Sequence, residues 1–327
     1  MAIKSKFTPT DLNEILSQYD IGEYVRFKPF ERGTDQTNLL LTTTQRDVVL
    51  RYYEKRTLDY TKFEIELLQY LAKYSYPCAA PIASKEGRYV DTYREKPFAL
   101  FEFLQGEHSD NLANYLQVAG AISKLHSLTI NYRPTDGLTR PTYHAEYCWS
   151  CAKESAKRIK SQTEAQKRLA WVKAELGQLE LPASLPKGVC HGDLNPSNFL
   201  YGQGKLSGVL DFDQSSYTWQ LYDVGQLIYW WTWPNKGDID FDRSRKLIEQ
   251  YKNLRPMTDD EHQHLFDGLK LVILIGISWF LDEDEGYTNA RRKVELLNTF
   301  SREGFYKNIF EDELASTTNS YVKRVRR

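Results

Sequence analysis

The stretch GVCHGDLNPSNFLYGQGKLSGVLDFD, residues 188–213, carries two polar motifs separated by a glycine-containing turn. The first motif has the pattern H-x-D-x-x-x-x-N, formed by His191, Asp193 and Asn198. A glycine and a proline inside it disfavour an ordinary helix, and apolar residues flank it on both sides. The sequence therefore predicts a polar loop held between two apolar segments.

The order of the side chains in this loop suits phosphoryl transfer. Asp193 can accept the proton of an attacking hydroxyl, and Asn198, five residues later, can turn back to hold a magnesium ion. A loop suits both roles, because base and metal ligand must point into one cavity. The pattern is short, however, and polar turns containing Asn-Pro also occur as plain turns.

A carboxylate at the end of the following strand strengthens the interpretation. Eighteen residues after Asp193, the apolar run GVLDFD ends in Asp211, Phe212 and Asp213. A magnesium ion that bridges two phosphates needs a carboxylate beside the asparagine, and a strand end can supply one. Asp213 stands where the Asp-Phe-Gly motif of kinases has glycine. The alternative is that these acids only line a solvent-facing hairpin.

Composition excludes several classes of protein. The 327 residues include 43 Lys and Arg against 44 Asp and Glu, so no global field recruits nucleic acid or an anionic membrane. Four cysteines do not make a disulfide framework in a chain of this length, which favours a reducing cytoplasm. The N-terminus lacks the apolar region of a secretory signal. The apolar run at 269–281 is shorter than the roughly 20 residues that span a bilayer, and it predicts a buried helix.

Hydrophobic periodicity divides the chain into two parts. In the first part, Thr8 opens a helix that is expected to end near Gly22. Short β-branched and aromatic runs then predict an antiparallel meander, and residues 63–74 predict a helix packed on it. The strands are expected in VRFKPF, NLLLTT, VVLRYYEK, RYVDTY and PFALFEFL.

Beyond Gly106 the pattern is mostly helical. Helices are predicted over 111–128 and 151–178, and Thr258 with Glu261 forms a capping box expected to open a helix that ends near Leu281. The chain is therefore expected to form a small sheet-plus-helix lobe followed by a larger helical lobe with a β insertion.

The motifs HGDLNPSN and LDFD, followed by Asp223 in YDVG, resemble the aminoglycoside phosphotransferase and choline kinase superfamily. The resemblance implies an α+β, two-lobed protein-kinase-like fold that uses ATP and Mg²⁺. A small antiparallel-sheet nucleotide-binding lobe would occupy residues 1–104, and a larger, mostly helical catalytic and substrate-binding lobe residues 105–327. By this resemblance, Asp193 would be the catalytic base, and Asn198 and Asp211 would be the metal ligands. His191 and Asp223 would support the loop. Asp223 could instead, or in addition, cap the helix that follows.

The same resemblance assigns nucleotide contacts in the first lobe. The segment PFERGTDQTNLLL would cover the phosphates, with Gly33 letting backbone amides approach, although only one glycine is present. Arg51 occupies the strand position that carries a phosphate-binding lysine in related kinases, and Arg can make the same charge-assisted contact. Its anchoring partner would be Glu64 or Glu66, early in the next helix.

The segment LFEFLQGE fits the connection between the lobes. There the carbonyl of Glu102 and the amide of Leu104 would bond adenine.

The start of the chain is most similar to the bacterial homoserine kinases of this fold, through LSQYDIGEYVRFKPFERGTDQTNLLLTT, VVLRYYEKR, YPCAAP and LPKGVCHGDL. Homoserine is therefore the leading acceptor, although those kinases often have Ala and Phe where this chain has Gly192 and Asn195. Choline or ethanolamine, an aminoglycoside and a sugar remain alternatives. The aromatic cluster in QLIYWWTWP could cage a quaternary ammonium or simply be core, and the acids at 282–286 could receive an amino group or follow a helix as a loop.

A competing class is a pseudokinase that binds nucleotide or a partner and transfers nothing. The catalytic-loop and metal residues are all present, which argues against it. The sequence gives no indication of oligomeric state.

Overall fold

A computed structural model describes residues 5–30, 35–109, 111–135, 137–138, 140–233 and 237–310. The chain forms two compact units. The first comprises residues 1–109, 132–140 and 197–215, and the second comprises residues 110–131, 141–196 and 216–327. The lobe boundary expected between residues 104 and 105 stays a prediction.

The strands are, in chain order, β1 (Tyr24–Pro29), β2 (Thr37–Thr43), β3 (Asp47–Tyr52), β4 (Asp91–Tyr93), β5 (Lys96–Glu102), β6 (Glu107–His108), β7 (Lys187–Cys190), β8 (Phe199–Gly202), β9 (Lys205–Val209) and β10 (Ser216–Trp219). The helices are α1 (Pro9–Leu16), α2 (Leu58–Ala72), α3 (Tyr115–Leu128), α4 (Ala145–Ala156), α5 (Gln162–Leu176), α6 (Leu221–Trp231), α7 (Phe241–Lys252), α8 (Asp259–Gln263), α9 (Leu265–Trp279) and α10 (Asp284–Leu297). Residues 302–310 are also helical. An antiparallel sheet in the first part and helices in the later part confirm the predicted α+β class.

The first unit is built on a five-stranded antiparallel sheet with the order β1-β2-β3-β5-β4. Fully buried and partly buried side chains alternate along β2, as expected for a strand with two different faces. In α2, the hydroxyl of Thr57 accepts a hydrogen bond from the amide of Tyr60, so the helix begins earlier than the predicted 63–74. This placement brings Glu64 into the buried part of α2.

Helix α1 joins the core of this sheet. The predicted start at Thr8 is confirmed, because its hydroxyl accepts from the amide of Asp11 while the Asp11 carboxylate accepts from the amide of Thr8. The predicted extension to near Gly22 is wrong. Tyr19 and Ile21 turn into the same buried core as the sheet, and a continued helix would not bury both.

A second sheet in the first unit, with the order β6-β8-β9, positions two of the predicted metal ligands. The β8–β9 hairpin turns through Gln203 and Gly204, both with positive φ. At its open end, the amide of Leu210 donates a 2.8 Å hydrogen bond to the carbonyl of Asn198. Asn198 and Asp211 therefore enter and leave this hairpin at the same end.

The second unit packs its helices around α9, which contacts α4, α6 and α10. Helices α6 and α9 approach closely where glycines face each other, since a Cβ on Gly225 would lie 3.0 Å from the carbonyl oxygen of Gly268. The prediction of a buried helix at 269–281 is confirmed, because α9 covers most of this range and is buried along nearly its whole length. No helix in the described ranges has the length and apolar content needed to cross a bilayer.

Two helix predictions in this unit are wrong in their boundaries. The segment 151–178 forms α4 and α5 instead of one helix, because the hydroxyl of Ser161 caps a new start by accepting from the amide of Glu164. The capping box of Thr258 and Glu261 is present, but it opens only the short α8. At His264 the backbone leaves helical geometry, with φ −103° and ψ 13°, before α9 begins.

Candidate active site

The H-x-D-x-x-x-x-N loop begins where β7 ends, and a carboxylate from α6 holds its backbone. Asp223 Oδ2 accepts a 2.7 Å hydrogen bond from the amide of His191, and Oδ1 accepts a 3.0 Å hydrogen bond from the amide of Gly192. All of these groups are buried. Hydrogen bonds from amides to a buried carboxylate are about twice as strong as neutral ones. Gly192 has φ +83°, a conformation that a side chain would disfavour.

Two residues that the sequence analysis did not identify also hold this loop. Gln226 accepts from the amide of Leu194 at 2.7 Å and donates to the carbonyl of Gly192 at 2.6 Å. The indole of Trp231 donates to the carbonyl of Leu194 at 2.9 Å. A signal for Gln226 was available, because it follows Asp223 by three residues and so shares its face of the helix. Together these contacts fix the backbone on both sides of Asp193.

Asp193 itself is partly exposed. Its amide donates to Nδ1 of His191 at 3.3 Å, and its Oδ1 accepts from the amide of Asn195 at 3.4 Å. Burial raises the pKa of the Tyr222 hydroxyl well above its ordinary value, and the negative charge of Asp193 contributes to this shift.

The Asp223 carboxylate has a third partner, His126, whose Nε2 lies 3.1 Å from Oδ2. The other ring nitrogen of His126 lies 2.6 Å from the hydroxyl of Tyr251. Burial lowers the pKa of His126, so a neutral ring that donates to Asp223 and accepts from Tyr251 satisfies this network. The N-cap position of α6 is Gln220, without a side-chain cap bond, so Asp223 does not cap this helix.

His126, Asp223 and Cys190 place possible metal-binding atoms within 4.8 Å of one another. Both Asp223 oxygens are engaged by backbone amides, and the thiol of Cys190 donates to the carbonyl of Trp219 at 3.3 Å. Burial raises the pKa of Cys190 well above its ordinary value. This cluster is therefore a hydrogen-bond network that supports the loop.

In the first unit, the guanidinium of Arg51 bridges two carboxylates. Nη2 donates to Oδ1 of Asp211 at 2.7 Å, and Nη1 lies 3.5 Å from Oε1 of Glu64. Glu64 is 1% exposed and also accepts from the hydroxyl of Tyr53 at 3.2 Å. Glu66, the other predicted partner, instead accepts a hydrogen bond from Thr135. Of the two glutamates, Glu64 is thus the one beside Arg51.

Burial and the neighbouring charges have opposite effects on the pKa values of Arg51 and Glu64. Burial disfavours the charged form of Arg51, yet the carboxylates of Glu64 and Asp211 raise its pKa well above the ordinary value. Burial raises the pKa of Glu64 although Arg51 favours its ionised form. The cluster therefore keeps a fixed cation beside a buried carboxylate.

Asn198 and Asp211 provide the kind of donors that a magnesium ion prefers. Asn198 is buried and offers an amide oxygen, whereas the Asp211 side chain is 45% exposed and offers a carboxylate. Asp211 adopts φ 61° and ψ 66°, a left-handed conformation that is uncommon for residues other than glycine. Such strain is typical of positions where a side chain must be aimed at a ligand. The residues fit a hard divalent cation.

Asp213, which replaces the glycine of the kinase motif, has a cation of its own. Arg56 holds its carboxylate through Nε, with both oxygens at 3.1 Å, and through Nη2 at 2.5 Å. Arg140 donates to the backbone carbonyl of Asp213 and at 2.8 Å to that of Tyr60. The sequence analysis identified the replacement but not these arginines, because 157 residues separate Arg56 from Asp213.

Gly33, Glu102 and Leu104 are the other residues predicted to contact the nucleotide. Gly33 lies outside the described residues. Glu102 is the last residue of β5, and its amide donates to the carbonyl of Ala80 at 2.9 Å. Leu104 follows in a segment without regular secondary structure, beside Gly208. Their roles toward adenine stay predictions.

The aromatic cluster at the C-terminal end of α6 already contains a cation. The Nζ atom of Lys293 lies 4.1 Å from the ring centroid of Tyr229 and 5.1 Å from that of Trp233. Trp231 and Trp233 are buried, which supports the interpretation of the cluster as core.

The acidic run at 282–286 is neutralised in part by arginines. Arg158 Nη2 binds Asp282 at 2.6 Å, and Arg168 Nη2 binds Asp284 at 2.5 Å. These two carboxylates have protein partners, and the ion pairs link the segment after α4 and helix α5 to the chain at the start of α10.

Comparison with known proteins confirms the family that the motifs resemble. The model of the family described as "Phosphotransferase enzyme family" matches residues 26–256, a range that contains both motifs. A homoserine kinase of Rhodospirillum rubrum is 30% identical over 273 residues, covering 80% of this chain and 81% of the relative.

Solved structures with similar folds include two small-molecule kinases. An amicoumacin kinase in complex with AMP-PNP, Ca²⁺ and Ami has a TM-score of 0.70 at 17% identity, covering 91% of this chain and 95% of that one. A microcompartment-associated aminopropanol kinase has a TM-score of 0.66 at 16% identity, covering 94% and 98%. At this identity the likeness concerns the fold alone, and it confirms the predicted protein-kinase-like class.

Proposed function

The chain belongs to the phosphotransferase enzyme family, on its homoserine kinase branch, and from that premise we propose that it transfers the γ-phosphate of ATP to the hydroxyl of homoserine. The protein is a small-molecule kinase that phosphorylates an alcohol group. What supports the finer assignment is the 30% identity to a homoserine kinase over four-fifths of both chains. The four free thiols favour a cytoplasmic location.

We assign the role of catalytic base to Asp193. Its backbone is fixed through the contacts of Asp223 and Gln226 to the neighbouring residues. In this role Oδ of Asp193 takes the proton of the acceptor hydroxyl as the hydroxyl oxygen bonds to phosphorus and the bond to ADP breaks. A base held this rigidly reduces the entropy that the reaction must lose on reaching its transition state.

We assign the role of magnesium ligands to Asn198 and Asp211. A magnesium ion held there would neutralise charge on the phosphates of ATP. Arg51 would contact the α- and β-phosphates, with Glu64 orienting its guanidinium from the buried side. In this family chemistry the rate comes mainly from positioning and charge stabilisation.

The test is a coupled ADP-release assay with Mg-ATP across homoserine, choline, ethanolamine, an aminoglycoside and several sugars. Asp193→Ala serves as the control for contaminating kinases. We expect homoserine to stimulate ADP release well above the other acceptors, and the variant to lose that response.

Each other result has a definite meaning. Preferential stimulation by another alcohol would reject homoserine while leaving the kinase activity in place. ATP binding without stimulation by any acceptor would favour the pseudokinase.

A further inference from the structure

The two aspartates of the Asp-Phe-Asp segment, residues 211–213, each bind a different arginine. Arg51, in β3, donates to Oδ1 of Asp211 at 2.7 Å. Arg56, just before α2, donates from Nε to both carboxylate oxygens of Asp213 at 3.1 Å and from Nη2 to Oδ2 at 2.5 Å. All four residues belong to the first unit. The proposed function uses the first pair and leaves the second pair without a role.

The second ion pair is the more buried of the two. The side chain of Asp213 is 6% exposed and that of Arg56 is 23% exposed, whereas the Asp211 side chain is 45% exposed. A buried carboxylate that loses its cation is costly, and a fork of several charge-assisted hydrogen bonds fixes the geometry of the pair. Asp213 is therefore tied to Arg56 more firmly than Asp211 is to Arg51.

Further contacts join the same end of the segment to the start of α2. Arg140 donates to the backbone carbonyl of Asp213 and, at 3.1 Å, to that of Ser215. The hydroxyl of Tyr60, in the first turn of α2, donates to the Asp213 carbonyl at 3.1 Å. The Tyr60 ring centroid lies 4.6 Å from the guanidinium carbon of Arg56 and 3.7 Å from that of Arg140. Side chain and backbone of Asp213 are thus both held.

The other end of the segment carries the proposed metal ligand. Asp211 has the left-handed backbone conformation, and one residue, the buried Phe212, separates it from Asp213. Such a conformation persists only where the surrounding structure holds it. A metal ion at Asp211 would take a share of the carboxylate that now binds Arg51. The contact with Arg51 alone therefore cannot hold the segment while the metal ion binds.

We propose that Arg56 is a positioning residue that acts through Asp213 and keeps Asp211 in the conformation from which it binds the metal ion. This inference rests on the metal role proposed for Asp211. Arg56 itself contacts neither the metal ion nor the substrate. The aspartate that replaces the glycine of the kinase motif is the anchor through which Arg56 acts.

The test measures how binding of a non-hydrolysable ATP analogue depends on free Mg²⁺, by isothermal titration calorimetry and without an acceptor. We expect Arg56→Gln and Asp213→Asn each to raise the Mg²⁺ concentration for half-maximal binding by about tenfold, as is typical when a partner behind a metal ligand is lost. KM for homoserine should stay within about twofold. The double variant should be no worse than Arg56→Gln, because both changes remove the same ion pair.

Arg88→Gln is the matched control. Arg88 donates from Nε to both oxygens of Asp91 at 3.1 and 3.0 Å, so it forms the same kind of pair in the same unit, but at the start of β4. Its loss should change the Mg²⁺ dependence less than twofold. Arg56→Lys keeps the charge without the fork and should fall between wild type and Arg56→Gln.

The outcomes separate this inference from the proposed metal site. If Asp211→Asn does not alter the Mg²⁺ dependence, the metal role of Asp211 fails and the role of Arg56 fails with it. If Asp211→Asn weakens Mg²⁺ binding but Arg56→Gln does not, this inference alone is overturned. Lower stability to urea with unchanged Mg²⁺ dependence would make the ion pair merely structural, which also overturns it. If Arg56→Gln does not fold, the double variant, which leaves no unpaired charge, carries the same expectation.

Discussion

Arg51 donates a 2.7 Å hydrogen bond from Nη2 to Oδ1 of Asp211. The same guanidinium faces the buried carboxylate of Glu64 through Nη1, so one planar group serves two carboxylates. Related kinases are expected to have lysine here, which is a point charge on a flexible stem. Arginine at this position holds a fixed fork geometry, and the two residues are not interchangeable.

Arg51→Lys should therefore raise KM for ATP by about tenfold, because the ammonium cannot reach both carboxylates in the geometry of the guanidinium. Steady-state kinetics with varied ATP would measure this. Arg46→Lys, at an exposed position just before β3, is the matched control and should behave as wild type. If the Arg51 variant and wild type had the same KM for ATP, the proposed contact between Arg51 and the phosphates would be rejected.

Asp193→Asn should lower kcat by about 10²–10⁴-fold, the range expected for loss of a general base. Binding of ATP, measured by isothermal titration calorimetry, should stay within about twofold, because the assigned nucleotide contacts lie elsewhere. Asp20→Asn, at an exposed carboxylate, controls for the loss of a charge. If ATP affinity fell instead of kcat, Asp193 would belong to the nucleotide site and not to proton transfer.

Asp223→Asn should lower kcat by about 10²-fold while leaving KM for ATP unchanged. One side-chain oxygen becomes an NH₂ group that faces a donor, either the amide of His191 or that of Gly192, so the loop loses its anchoring. The loss of two charge-assisted bonds should also reduce the free energy of unfolding by about 3 kcal/mol, measured by urea denaturation.

A stability effect alone could mimic this result, so a second buried carboxylate provides the comparison. Asp267 is held by Arg302 at 2.8 Å in the same unit. Asp267→Asn should destabilise the fold yet retain wild-type kcat per folded molecule. If both variants lost kcat equally, the anchoring of the loop by Asp223 would not be specific.

The sequence predicted the elements that depend on local pattern. The capping box at Thr8 and the antiparallel strands follow from spacing of a few residues, and the structure contains them. The break between α4 and α5 was missed although Ser161 marks it, because the charged segment gave no strong period on which to place a boundary.

Contacts between distant segments could not be predicted in this way. The pairing of Arg56 with Asp213 spans 157 residues, and no local pattern specifies which arginine reaches that carboxylate. The same holds for Lys293, whose place over Tyr229 depends on the packing of α10. The position of Asp223 was anticipated only through the family resemblance, since spacing alone does not reveal that it accepts from the amide of His191.

Lys293 should reduce stability at neutral pH. Burial lowers its pKa from 10.5 to about 8, with Arg292 adding to the effect. Between pH 8 and 10.5 the unfolded chain therefore binds a proton that the native protein does not, so the free energy of unfolding rises with pH across this window. Below pH 8 both states are protonated and the full cost is present, whereas above pH 10.5 both are neutral and the cost disappears.

Lys293→Met should consequently raise the free energy of unfolding at pH 7 by about 1–3 kcal/mol, from the pKa shift less the lost contacts with the rings. Urea denaturation from pH 7 to 10.5 should show this advantage shrinking as pH rises. Loss of stability at pH 7 would mean that the ammonium is held favourably by the protein itself. Gain of stability at pH 7 would show that burial of the ammonium costs the fold free energy.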